Sequence, residues 1–247
     1  MPLIEFKYPK IYCITFRNPE RKARMTERFK ILDLDAEFVE ALPWDDPAIR
    51  PPDNVLEFAK SSTHWNSYAW STAHAHAAAI QRFIDSGEPA AVICEDDVHI
   101  HRAFKVEMPC LLANMYKMDL EVLLLGYLTT NPPAMVNGSW HPLAQHFMYF
   151  PCAFDLWGAQ MYLITREYAL NAIAKYGPNT GYPIRSLLDP ELTVFVADWI
   201  WNKASEKRGI LSPMIAVEEG KIQSDENRYG GFHQLCFNVN YHHLGYV

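Results

Sequence analysis

Three consecutive carboxylates, Glu95-Asp96-Asp97, follow directly on the apolar run Ala90-Ala-Val-Ile-Cys94. A short, unbroken apolar run of this kind fits a central buried strand, so the triplet stands at a strand's carboxyl end. In open α/β sheets that edge is where ligands bind. Carboxylates this close repel one another, so either one of them holds a proton or a divalent cation neutralises them. Hard oxygen donors suit Mg²⁺ or Mn²⁺, which in turn gather phosphate oxygens. A solvated acidic turn is the plain alternative, and the buried strand before it counts against that.

The elements that must hold the triplet can be read from periodicity. Lys10 to Phe16 reads as a buried strand, which runs into the turn Arg17-Asn-Pro-Glu-Arg21 and a mixed-charge helix ending near Leu32. Residues 37–41 form a second short strand, and 43–66, with its prolines, Trp44 and Trp65, reads as a long irregular loop. Ser67 to Ser86 is a helix: Ala73, Ala77, Ile80 and Ile84 fall on one apolar stripe, and Gly87 and Pro89 end it. A helix over 103–117 and a strand over 121–125 follow. Further on, Gln160 to Ile164 is a strand, and Thr165 caps the helix Arg166 to Tyr176. Asp198 opens a helix that Gly209 closes, and Ile210 to Val217 is the last strand. This alternation predicts an α/β sandwich with a largely parallel sheet, in a single domain over 1–247.

Composition narrows the function. The 247 residues carry 22 basic and 29 acidic side chains, a net charge of −7, and 49% of them are apolar. That apolar content excludes intrinsic disorder. The acidic balance argues against a protein built to bind nucleic acid, which needs an excess of Lys and Arg. The longest aliphatic stretch, Val122 to Leu125, falls far short of the ~20 residues of a bilayer span. The N-terminus has no long apolar region and carries an early Glu5, so a cytoplasmic protein is expected. Five scattered cysteines fit reduced thiols better than a disulfide framework.

Several stretches together resemble glycosyltransferase family 25, the lipooligosaccharide-biosynthesis and collagen galactosyltransferase type. Ile11 to Arg21 with Val39-Glu-Ala41 is similar to that family's first strand and Arg-bearing turn. Ala73-His74 looks like its helical Ser-His, and Ala90 to Asp97 looks like its Glu-Asp-Asp variant of the DxD motif. Leu124-Leu-Gly126, Gly158 to Ile164 and Ser212-Pro213 with Ser224-Asp225 are similar to later signatures. The match is best over 10–105. Thr15 stands where the family usually has Asn or Ser, Ala73 replaces its Ser, and 126–158 has no counterpart, which leaves substrate choice open.

The resemblance implies a GT-A-type α/β fold, a single Rossmann-like mixed sheet flanked by helices. It also implies an inverting, metal-dependent transfer of a hexose, most often galactose, from a UDP-sugar to a glycan or other hydroxylated acceptor. In such a site Asp97 binds Mn²⁺ or Mg²⁺, while Asp96 and Glu95 bind metal-bound water, ribose or sugar hydroxyls. Thr15 and Phe16 end the first strand beside the donor, and His74 either faces the donor from the helix or has a hydrogen-bonded structural role. Arg17 and Arg21 either pair with the diphosphate or base or are surface residues of a helix start.

By the same resemblance to GT-A enzymes, His233, or the pair His242-His243, is a candidate to complete the metal shell from the C-terminal segment. His99 and His101 are further ligand candidates, sharing one face if their strand continues. His74 and His76 lie about 200° apart around a helix and do not easily share one ion. The base for the acceptor hydroxyl is Asp198, with Asp155 beside Trp157-Gly158 in reserve. The plain role for Asp198 is a carboxylate at a helix N-terminus. Trp44, Trp65, Trp140 and Trp157 are the aromatic residues placed to stack on sugar rings. A non-catalytic relative that binds nucleotide or glycan is the alternative. A nucleotidyltransferase would show a glycine-rich loop where Phe16-Arg-Asn-Pro19 has none.

Overall fold

The computed structural model describes residues 8–61, 65–130, 141–142, 147–151, 156–201, 204–220 and 230–247. Strand β1 (Lys10–Thr15) leads into helix α1 (Pro19–Ile31), then β2 (Ala36–Glu40), α2 (Asp53–Ser61) and α3 (Ser67–Ser86). Next come β3 (Ala90–Glu95), β4 (Val98–Ile100), α4 (Phe104–Lys117) and β5 (Val122–Leu128). Two short strands, β6 (His141–Pro142) and β7 (Met148–Pro151), precede the long β8 (Trp157–Thr165) and α5 (Arg166–Tyr176). The rest is α6 (Tyr182–Leu188), α7 (Ala197–Ile200), β9 (Arg208–Ser212), β10 (Ala216–Glu218) and α8 (Gly230–Asn240).

Strand alternation decides what each helix covers. Tyr12, Ile14, Ile93, Leu124 and Tyr162 face one way and pack with Ala77, Ile80 and Phe83 of α3 and Tyr168 and Ala169 of α5. Cys13, Val92, Cys94, Leu123 and Leu163 face the other way, onto Met25 and Phe29 of α1 and Met108, Leu111 and Met115 of α4. Each large apolar side chain sealed in these layers contributes about 1.5–3 kcal/mol. The helix ends are where the sequence places them. Asn66 accepts the Ala69 N–H at 3.0 Å, and Gly87 closes α3 at φ 77°. Thr165 accepts the Tyr168 N–H at 3.2 Å to open α5.

Among the described residues eight strands form one sheet, in the order β2-β1-β3-β8-β5-β9-β7-β6. The α/β reading holds, as a mixed sheet flanked by helices. The largely parallel sheet does not: β1 runs parallel to β2 and β3, and β5 to β9, but β8 is antiparallel to both β3 and β5. An apolar run reads the same in either direction, so periodicity never encoded this.

Three boundaries also differ from expectation. The segment 43–66 contains α2, whose Val55, Leu56 and Ala59 are buried. The helix opened at Asp198 stops after Ile200, and Gly209 lies inside β9. Trp201 explains the stop, since its carbonyl is taken by the Tyr168 hydroxyl at 2.7 Å and its indole N–H by the Ala73 carbonyl at 2.8 Å. Residues 210–217 split into β9 and β10, which belong to different sheets, and Pro213, lacking an N–H, stands at the break.

Cys13, Cys94 and Cys236 are free thiols, and Cys152 lies outside the described residues. No helix among the described residues is long and apolar enough to cross a membrane.

Candidate active site

Strands β1, β3 and β5 end at one edge of the sheet, where the opposed β8 begins. Glu95 is the last residue of β3, and Asp96 and Asp97 turn the chain into β4. After β1, Arg17 adopts the left-handed region at φ 43° and donates its N–H to Glu40 Oε1 at 2.8 Å. Asn18 then caps α1 by accepting the Arg21 N–H at 3.0 Å. This turn brings Arg21 onto the triplet. Its guanidinium donates to Asp96 Oδ1 at 3.2 Å and to Asp97 Oδ2 at 2.8 Å. Both aspartates are nearly sealed, at 4% and 6% exposure. At this junction Arg21 Nε, Asp96 Oδ2 and Asp97 Oδ1 are buried without a hydrogen-bond partner. Native interiors leave few such groups unsatisfied. Two unmatched carboxylate oxygens on consecutive residues are hard donors of the kind a divalent cation accepts.

A second wall comes from far along the chain. β10 pairs antiparallel with β4, setting Glu218 opposite Val98, and the Glu219 N–H donates to the Asp97 carbonyl at 2.7 Å. Alternation sends the two glutamates opposite ways. Glu219 is held by Arg24 and Arg28 of α1, whereas Glu218 lies in electrostatic reach of Asp97 and Glu95. Gly126 permits this approach, because a Cβ there would stand 2.6 Å from the Ala216 carbonyl oxygen. From α8, His233 places Nδ1 2.9 Å from both Glu218 oxygens. Burial pulls its pKa down, but Glu218 outweighs that and the net shift is upward. The contact with Glu218 orients the ring and leaves Nε2 as its remaining ligating atom.

The third wall is polar and buried. His76 on α3 contacts Glu95 Oε1 through Nε2 at 3.2 Å and the Tyr162 hydroxyl through Nδ1 at 2.8 Å. Asp198, in the first turn of α7, accepts the Gly158 N–H at 2.7 Å. Gly158 sits at φ 117°, a conformation that side chains rarely adopt. Asp198 thus clamps the start of β8 while remaining in electrostatic reach of Glu95, His76 and His233.

Five carboxylates (Glu95, Asp96, Asp97, Asp198 and Glu218) therefore share a site with Arg21 and His233. Burial first, then Asp198, Glu218 and Asp96, push Glu95 up to about 8. Burial, with Glu218 as the chief neighbouring charge, lifts Asp97 well above the usual carboxylate range against the pull of Arg21. Excess negative charge of this kind calls for protons or a cation. Among the described residues no three His, Cys, Asp or Glu side chains form a ready metal cage. Mg²⁺ needs none, since one or two carboxylates and substrate phosphates usually hold it.

The other residues picked out by sequence fall as follows. Thr15 ends β1, buried, with Oγ1 unpartnered, and Phe16 beside it is exposed. His74 is only 8% exposed, yet neither ring nitrogen has a partner. Trp70 and Phe195 meet it edge-on at 4.8 and 5.0 Å. His99 is engaged by Arg28 and the Val247 carbonyl, and His101 Nδ1 accepts the Ala103 N–H, so neither joins the triplet as a ligand. His242 and His243 stack on each other, exposed. Trp44 and Trp65 are drawn into a partly buried aromatic run ending on Trp70 rather than left as open platforms. Trp157 is open at 48% exposure. Asp155 and Trp140 lie outside the described residues.

Tyr68, His76, Tyr162 and Glu218 join the site without the sequence analysis having placed them there. Tyr68, exposed on the first turn of α3, acts electrostatically on Glu95, Asp97 and Arg21. His76 carried a readable signal. It lies three residues after Ala73 and four before Ile80, on the apolar stripe that must face the sheet.

Burial lowers His74 to about 4. The unfolded chain then binds the extra proton between pH 6.5 and 4, so His74 costs nothing above pH 6.5 and destabilises increasingly below it. At about 1.4 kcal/mol per pH unit this removes about 2–3 kcal/mol by pH 4.5. His74→Leu, close in volume and without the orphaned nitrogens, should flatten that acid slope. Urea unfolding at pH 7.5 and pH 4.5 measures it, and an unchanged slope would refute the burial account.

No family model matches the chain, and no curated protein matches it. Among solved structures it is similar to a mannose-1-phosphate geranyltransferase from Thermus thermophilus, at 12% identity over 83% of this chain and 73% of that one, with a TM-score of 0.44. It is also similar to a glycosyltransferase involved in the glycosylation of the major capsid of PBCV-1, at 8% identity over 92% of this chain and 91% of that one, with a TM-score of 0.39. At these levels neither likeness assigns a residue or an activity to this chain.

Proposed function

We propose that this chain is a GT-A-type glycosyltransferase that uses a divalent metal to move a hexose, with inversion, from a UDP-sugar to a hydroxylated acceptor. The observation that carries the reading is the buried Arg21–Asp96–Asp97 junction at the sheet edge, with two carboxylate oxygens unmatched. The sequence resemblance over 10–105 supports it independently of the geometry. Asp97 is the residue for Mn²⁺ or Mg²⁺, with His233, oriented by Glu218, as a second ligand. The ion, when bound, neutralises charge on the donor diphosphate and on the departing UDP.

The chain's own residues supply the rest. Arg21 holds the aspartates in place and adds a fixed positive charge beside the phosphates. Glu95, fixed by His76, is a hydrogen-bonding group for donor hydroxyls. Asp198 takes the proton from the acceptor hydroxyl as the new bond forms. Its clamp on Gly158 uses Oδ1, which fixes the carboxylate's orientation. The test is a panel of UDP-hexoses with Mn²⁺ and a mixture of neutral glycosides, following UDP release and new glycoside by NMR. An anomerically inverted product supports the reading. UDP-sugars that neither bind nor turn over would overturn it in favour of a glycan-binding relative of the fold.

A further inference from the structure

Helix α8 is tied down along one side and turns an apolar stripe outward along another. On the inner side His233 meets Glu218 at 2.9 Å, and Asn240 Nδ2 donates to the Thr129 carbonyl at 2.7 Å. Phe237 stacks on Tyr241 at 4.6 Å, and a Cβ on Gly220 would stand 2.9 Å from the Phe237 Cβ. The helix is therefore held in one orientation. On the outer side Phe232, Leu235 and Val239 are 41%, 51% and 47% exposed. At i, i+3 and i+7 they fall within about 60° of one another, one stripe along two turns. Apolar side chains exposed singly are ordinary, whereas a contiguous stripe marks an interaction surface. Beside it the Gln234 carboxamide donates to Asn238 Oδ1 at 2.9 Å, an uncharged polar margin.

Charge selects the occupant. Residues 230–247 contain no Lys, Arg, Asp or Glu, although 21% of the whole chain is charged. Helices that lie on anionic membranes carry Lys and Arg beside the apolar face, and this one has neither. A partner recognised by its charge would find nothing here to pair with. A second copy of the chain needs no such pairing. Across a two-fold axis the stripe meets itself, and a face without charge brings no like charges together. The cores of homodimer interfaces are depleted of charge in the same way. Antiparallel packing about an axis at Leu235 sets each Leu235 against its counterpart and each Phe232 against the other copy's Val239. A stable interface buries about 800 Å² per partner, more than one short stripe offers, so the pairing is weak and concentration-dependent.

We infer that the Phe232–Leu235–Val239 face of α8 joins two copies of this chain about a two-fold axis. The pairing needs neither donor nor metal and is independent of the transferase reading. Sedimentation velocity of the full chain in reducing buffer, from about 5 to about 500 µM, brackets weak association of this kind. The weight-average coefficient should rise with concentration toward that of a dimer. Leu235→Glu and Leu235→Lys alter an exposed side chain, so the near-ultraviolet circular dichroism should stay that of wild type. Each variant alone sets like charges at the axis and should weaken self-association at least about tenfold. An equimolar mixture of the two should restore it, because opposite charges then meet. Leu235→Ala, which adds no charge, should weaken it by a smaller factor. A wild-type chain that stays monomeric throughout overturns the inference, and binding to phosphatidylcholine vesicles in its place would make the stripe a membrane contact. Dimers that persist unchanged in the folded variants overturn it by placing the contact elsewhere. A mixture no more associated than either variant overturns the two-fold arrangement.

Discussion

Asp97→Asn should abolish Mn²⁺-dependent UDP binding while leaving the apo protein at least as stable as wild type. The two effects have one cause. Burial, then Glu218, Glu95 and Asp96, crowd the Asp97 carboxylate, against the pull of the Arg21 contact at 2.8 Å. Asparagine keeps the shape and one acceptor oxygen for Arg21 but removes the charge. The fold is relieved of like-charge repulsion and the ion loses its principal ligand. Affinity for UDP in Mn²⁺ should fall at least about 100-fold, or about 2.7 kcal/mol. Calorimetric titration reads the loss and thermal unfolding reads the stability. A variant that binds as wild type would remove Asp97 from the metal site. A variant that simply unfolds would mean that Arg21 and Asp97 form a structural pair.

Asp198→Asn should cut transfer by about 10²–10⁴, the usual contribution of a positioned general base, without changing the fold. Asparagine retains the oxygen that accepts the Gly158 N–H, so the strained turn at φ 117° stays anchored. Asp198→Ala, by contrast, leaves that N–H without its partner and should cost a further ~1–3 kcal/mol of stability. Steady-state rates for both variants, with urea unfolding alongside, separate the base from the clamp. Near-normal turnover in Asp198→Asn would move the base to Glu218, which already sits in the same cluster.

The difference between these two residues shows what the sequence could reveal. Asp97 was legible because its signal is local: three carboxylates after a buried apolar run, held by a strand that periodicity identifies. The caps at Asn66 and Thr165 and the stop at Gly87 were legible for the same reason. Glu218 was not, because its place depends on β10 folding back beside β4, more than a hundred residues away, and on Gly126 allowing the approach. Nor was Asp198's hold on Gly158, a contact across 40 residues. The expected long helix after Asp198 failed because Tyr168 and Ala73 capture Trp201, which no helix propensity reports. His74 and His76 show the limit within one helix. The family resemblance favours His74, yet the structure seats it among aromatic rings and brings His76 to the triplet.

The most direct test of the account is calorimetric titration of UDP into the wild-type protein, once in Mn²⁺ and once in EDTA. The account predicts saturable binding in Mn²⁺ that EDTA removes, because Asp96 and Asp97, with their unmatched oxygens, would hold an ion whose charge would offset the nucleotide's phosphates. Binding of equal strength in EDTA would contradict the metal assignment. No binding in either condition would contradict the nucleotide-sugar site itself.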